Sequence, residues 1–215
     1  MLFLGFGSGL PYILLISTST AWLRDVNVDL SYIGFFTWIT FTYTFKFAWA
    51  PLVDRFSIPF LAQYGHRKSW IAFMQILIFL SLLFISNIDP IENFILFCIV
   101  GATIAFAGSI QDIAIDAFRI EYAHISDQGN LAASYQLGYR LAIIAATSIA
   151  LIFADINGWS MTFKLMAGLM CLGMLGVIFS KEEKNKELGK LNFINSIVEP
   201  LKDFFSRFGM FMASI

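Results

Sequence analysis

Long apolar runs alternate along the chain with short polar connections, and the length of the runs fixes their meaning. About 20 residues at a rise of 1.5 Å are needed to cross roughly 30 Å of hydrocarbon. Six runs qualify, at residues 2–22, 31–50, 69–87, 93–118, 131–153 and 160–180, and a further amphipathic start lies at 199–215. The pattern predicts an all-α polytopic membrane protein. It has a six-helix bundle over 1–180, a polar linker over 181–198 and the truncated start of a second half over 199–215. The first run lacks a basic segment ahead of it and leads directly into further spans, so it is expected to be a helix rather than a cleaved leader.

Composition narrows the class further. The 215 residues are 58% hydrophobic and only 13% charged, which excludes a soluble domain. Arg55, Arg67, Lys68, Arg119, Lys181, Lys184, Lys186 and Lys190 fall in the connections 51–68, 119–130 and 181–198. The connections 23–30, 88–92 and 154–159 hold Arg24 alone. Short basic loops stay cytoplasmic, so the N-terminus and the 181–198 linker are expected on the cytoplasmic side of the membrane. Trp22, Trp70 and Trp159 sit at span ends, where an amphipathic ring belongs by default. Lys164 lies near the opposite end of the sixth run and reads as a snorkelling anchor. Cys98 and Cys171 lie inside spans and read as small buried hydrophobes, neither a disulfide nor a metal pair.

Against this background the polar residues inside spans carry the chemistry. In "GSIQDIAIDAFR", residues 108–119, an arc of about 140° holds Gln111, Arg119, Asp112 and Asp116, and the same stripe continues through Gly101, Ala105 and Gly108. That face looks into a cavity or a close helix contact rather than into lipid. Counting inward from the basic connections places Lys46, Asp112 and Arg140 in one layer about 10–13 Å deep. Two intramembrane cations, Lys46 and Arg140, are expected to balance Asp112 and Asp116, either as a static brace or as a network that titrates. Asp116 and Arg119 have the i, i+3 spacing of a local ion pair, which leaves Asp112 as the candidate to titrate, and so for proton coupling if the chain is a carrier. Trp38, Thr42, Lys46 and Trp49 share one arc of the second span, and rings beside hydrogen-bonding groups suit the lining of a ligand cavity as well as they suit simple helix packing. Gln111, Gln136 and Tyr139 carry polar groups that need partners at membrane depth. The cluster "GFGSGLP" in the first span is tolerated where backbone lines a cavity or packs closely against a neighbour, and "GATIAFAGS" at the equivalent place in the fourth span hints at an inverted repeat.

The connection "APLVDRFSIPFLAQYGHRKSW" resembles the loop signature of the major facilitator superfamily, with Asp54–Arg55 as its Asp-Arg pair and Gly65, His66, Arg67 and Lys68 as its basic cluster. Ala50 replaces the first glycine of that signature, and an insertion separates the two parts. The runs "GFGSGLPYILL", "AWLRDVNVDLSYIGFF", "YTFKFAWAPLVDR", "QDIAIDAFR", "LGYRLA" and "EPLKDFFSRFG", in this order and spacing, resemble the AmpG-type muropeptide permeases, a branch of that superfamily related to the acetyl-CoA transporters. The resemblance covers nearly the whole chain, and the inserted loop is typical of that branch.

What the resemblance implies is proton-linked import of anhydro-muropeptides, saccharide or saccharide-peptide, across a bacterial inner membrane for cell-wall recycling. Asp54, Arg55, Arg67 and Lys68 would then be the gating loop. It also implies a second six-helix half, so the chain is expected to be a fragment, a split gene product or one of two working polypeptides, with membrane lipid, protons and the missing half as partners. A carrier of another anionic, nucleotide-like or drug-like solute on the same scaffold, and a non-transporting remnant, remain open. No cofactor, metal or nucleic-acid partner is expected. Enzyme chemistry has little support: His66 and His124 lie in or beside loops, and no nucleophile–base or metal-ligand spacing is present.

Overall fold

A computed structural model describes residues 1–58, 65–122 and 124–180. The linker expected over 181–198 and the helix start at 199–215 lie outside the described residues. Within them every regular element is helical. Five helices are long and apolar enough to cross a membrane: α1 (Leu2–Asp25), α3 (His66–Ile85), α4 (Phe94–Tyr122), α5 (Gln128–Asn157) and α6 (Trp159–Phe179).

The expected second span is the exception. It is not one helix but a chain of segments over 30–55, collectively α2: helical at Leu30–Thr37, tightened to a 3₁₀ turn at Trp38–Thr40, helical again at Phe41–Thr44, then broken at Phe45 before Lys46–Arg55. The cause is local. Thr37, Thr40 and Thr42 turn their hydroxyls back onto the carbonyls of Gly34, Thr37 and Ile39, three residues earlier, which favours the tighter turn. Helices α1, α4 and α5 also run a few residues past the expected limits of 22, 118 and 153.

Helix α1 is the hub, packing against α5, α6 and α4. Its glycines make this possible. A Cβ on Gly5 would collide with the Tyr135 carbonyl of α5, and one on Gly138 with the Leu2 carbonyl of α1, so each helix presents bare backbone to the other. Gly9 lies over Tyr139 and Ala142 on the same face. Lipid tails are as apolar as leucine, so close backbone approach rather than hydrophobic burial drives this contact. The glycine cluster does not interrupt α1, which stays continuous through Pro11 and widens only into a π-helical turn at Leu14–Ser19. A second π turn, Ala145–Ile149 of α5, faces it, and the Thr18 hydroxyl donates to the Ala146 carbonyl across the pair.

The two ends of the bundle are tied differently. At the end carrying residues 51–58, Trp70 Nε1 donates to the Phe56 carbonyl at 2.6 Å, and Lys68 Nζ reaches the Ser180 carbonyl at 2.7 Å. At the other end Trp22 packs among Phe97, Trp159 and Phe163, while Trp159 Nε1 donates to Asp25 at 2.7 Å. Trp22 and Trp70 are therefore buried packing residues and not interface anchors. Cys171 is exposed on the bundle surface and Cys98 half-buried, so neither is the fully buried hydrophobe expected of it. Lys164 is exposed, as a snorkelling side chain should be.

Candidate functional site

The polar stripe of α4 meets α1 and α5 where the glycines bring the helices together. Ser8, flanked by Gly7 and Gly9, is buried, and its Oγ donates to Asp112 Oδ1 at 2.5 Å. The Tyr135 hydroxyl lies 2.7 Å from the same Oγ. Serine has one proton to give, and the carboxylate takes it, so Tyr135 is the donor in the second bond. One hydrogen-bonded chain, Tyr135–Ser8–Asp112, thus crosses three helices.

Tyrosines surround this chain. Tyr43 of α2 lies over Gly108, where any Cβ would collide with its hydroxyl, and meets Tyr12 of α1 edge-on with ring centroids 4.8 Å apart. Its hydroxyl is buried without a protein partner. Tyr139 lies one turn beyond Tyr135 and tilts against it at 6.4 Å. A carboxylate, a serine hydroxyl and four phenols make a surface that can bond sugar hydroxyls, stack on ring faces and hold or pass a proton. Of these groups the sequence reading singled out Asp112 and Tyr139 but missed Ser8, Tyr12, Tyr43 and Tyr135.

The expected layer of charge is not joined by direct contacts. Among the described residues the ion pairs are Arg67–Asp54, Arg67–Glu121 and Arg119–Asp116; Lys46 makes no contact with Asp112 but acts on it electrostatically through space. Lys46 and Arg140 are both exposed on the bundle. The 3₁₀ turn and the break at Phe45 interrupt α2 on either side of Thr42. The expected ligand-facing positions of α2 make local contacts. Trp38 is exposed against Phe35, Thr42 is spent on its own backbone, and Trp49 packs edge-on to Phe106 of α4 at 5.1 Å. Gln136 is exposed, and Gln111 is wholly buried in the bundle interior. Asp116 pairs locally with Arg119 at 3.5 Å, in the spacing expected.

A second cluster closes the end of the bundle nearest residues 51–58. Arg67, at the start of α3, is buried and forks between Asp54 of α2 at 2.6 Å and Glu121 of α4 at 2.8 Å. His66 Nε2 sits 2.8 Å from the Val53 carbonyl. One guanidinium therefore joins three helix ends, with the planar geometry that suits two carboxylates. Asp54 and Arg67 come together as the loop signature suggests, Lys68 holds the end of α6 instead, and Arg55 stays exposed. Glu121 was missed because it lies past the expected end of its span. A carboxylate five residues beyond Asp116, beside a basic loop, was the available signal.

A family model for the Major Facilitator Superfamily matches residues 1–215. The chain belongs to that superfamily. Several relatives align with nearly all of this facilitator. AmpG 4 of Rickettsia conorii is 33% identical over 211 residues, which is 95% of this chain and 51% of the relative. The anhydromuropeptide permease of Escherichia coli strain K12 is 34% identical over 208 residues, 96% of this chain and 42% of the relative. AmpG 3 of Rickettsia typhi is 30% identical over 207 residues, 95% and 49% respectively. The chain thus spans about half the length of the relatives it matches, and it is a multi-pass membrane protein of a transporter family.

Proposed function

We propose that this chain forms one six-helix half of a proton-linked carrier that imports anhydro-muropeptides across a bacterial inner membrane, with its N-terminus cytoplasmic, and that it performs no enzymatic step. The observation that carries the reading is the Tyr135–Ser8–Asp112 chain. It joins the two helices that meet at bare glycine backbone to the polar stripe of a third, in a protein similar along 96% of its length to an anhydromuropeptide permease. Secondary carriers hold substrate and coupling ion near the midplane between halves, and an intramembrane carboxylate is a functional group by default. In this reading Asp112 carries the coupling proton, and the tyrosines together with Trp38, Thr42, Trp49 and Gln136 supply the candidate contacts to a saccharide. Lys46 and Arg140, exposed on this half, meet the anionic peptide or lactyl carboxylates of the substrate or groups of the second half. The Arg67–Asp54–Glu121 fork, with Arg55 and Lys68 beside it, holds the cytoplasmic mouth in one access state and releases it in the other.

The test is uptake of labelled N-acetylglucosaminyl-anhydromuramyl peptide by membrane vesicles from cells expressing the protein from its own locus, with and without an imposed proton gradient. Gradient-dependent accumulation above vesicles from a deletion strain is expected. Accumulation equal to the deletion strain would remove the reading.

A further inference from the structure

Among the described residues the largest concentration of unmet polarity lies at the crossing of α1 and α6, behind the hydroxyl chain. Gly7 and Gly173 meet there backbone to backbone, each Cα within about 3 Å of where the other would carry a Cβ. Two side-chain amides converge on the same place. Gln75 of α3 puts Nε2 3.1 Å from the Cβ position of either glycine, and Gln111 of α4 puts its Nε2 3.6 Å from that of Gly7. Both glutamines are wholly buried, and all four of their amide atoms lack a protein partner. An unpaired amide is costly to bury anywhere and most costly at membrane depth.

We propose that Gln75 and Gln111 hold ordered water in a polar chamber inside the six-helix bundle. The chemistry of the lining selects the ligand. A cation would satisfy two carbonyl oxygens and leave every amide N–H unmet, and an anion would do the reverse. Water both donates and accepts, and bridging water is the usual partner of buried groups that cannot reach each other. Gly7 and Gly173 close the crossing backbone to backbone, so the water lies beside the amides and not between the glycines. Ser8 follows Gly7 and Asp112 follows Gln111, so the water fixes the spacing of α1 against α4 one residue away from the Ser8–Asp112 bond. Gln75 and Gln111 are thus positioning residues for that bond, whatever the protein carries.

The discriminating experiment compares Gln75→Leu, Gln111→Leu and the double variant of the full chain by thermal unfolding in lipid nanodiscs, alongside a wild-type density map that resolves ordered water. If water bridges the amides, each single variant strands the other amide and the water, so Tm falls by several degrees, and the double variant loses less than the sum of the two. The map then shows water within hydrogen-bonding distance of both side chains. An unchanged or raised Tm in either single variant overturns the proposal, because removing an unpaired amide relieves a cost. So does a map in which the amides touch each other directly.

Discussion

Asp112 owes its surroundings to residues too small to be noticed in a sequence. Ser8 meets the carboxylate between Gly7, where α1 closes on α6, and Gly9, where it closes on α5, and Tyr135 meets Ser8 where Gly5 lets α5 approach to backbone contact. A hydrogen bond to a charged group contributes about 1.5–3 kcal/mol and one between neutral groups about 0.5–1.5 kcal/mol. Ser8→Ala is therefore expected to destabilise the protein more than Tyr135→Phe. A double-mutant cycle of Ser8→Ala with Asp112→Ala, read by unfolding in detergent, should show coupling above about 0.5 kcal/mol. Additive losses would mean that the two side chains do not interact. The importance of Asp112 was legible in the sequence because an aspartate in an apolar run has few bland explanations. Its partners were not, since a serine in a glycine-rich helix and a tyrosine in a membrane helix are ordinary, and what joins them is a crossing geometry that residue spacing does not encode.

At the scale of elements, the glycines divide into those that carry a contact and those that do not. Gly5 and Gly138 face a neighbouring carbonyl at a distance that admits no side chain, whereas nothing lies within 4 Å of a Cβ built on Gly34. Overpacking a tight contact costs about 1–3 kcal/mol or more, while Gly→Ala at an open helical position gains roughly 0.5–1 kcal/mol. Gly5→Ala and Gly138→Ala should lower Tm and the yield of folded protein, and Gly34→Ala should hold or raise both. Equal loss at all three positions would show that the α1–α5 crossing is not set by backbone contact. The small-residue cluster of α1 announced this crossing in advance. The broken α2 did not announce itself, because its apolar length is that of a straight span and the threonines that turn it back on its own carbonyls are neutral in hydropathy.

For the molecule as a whole, the end that carries residues 51–58 is closed by one arginine shared between two carboxylates, and the opposite end by stacked tryptophans. The basic residues cluster at the first end, which the positive-inside tendency assigns to the cytoplasm. In a background with Cys98→Ser and Cys171→Ser, a cysteine at Asn157 should react with an impermeant thiol reagent added outside intact cells. One at Ser57 should react only after the membrane is opened. Equal labelling of both positions from outside would reverse or abolish the orientation.

The central claim is that Asp112 couples proton movement to solute movement, and two assays on one variant separate coupling from binding. Asp112→Asn keeps the size of the side chain and a carbonyl for the Ser8 hydroxyl, but it cannot release a proton. Vesicles carrying the variant should fail to accumulate labelled anhydro-muropeptide under an imposed proton gradient, yet should still exchange external label for unlabelled solute loaded inside. Normal gradient-driven accumulation by Asp112→Asn would contradict the account and leave the Tyr135–Ser8–Asp112 chain as a brace between helices.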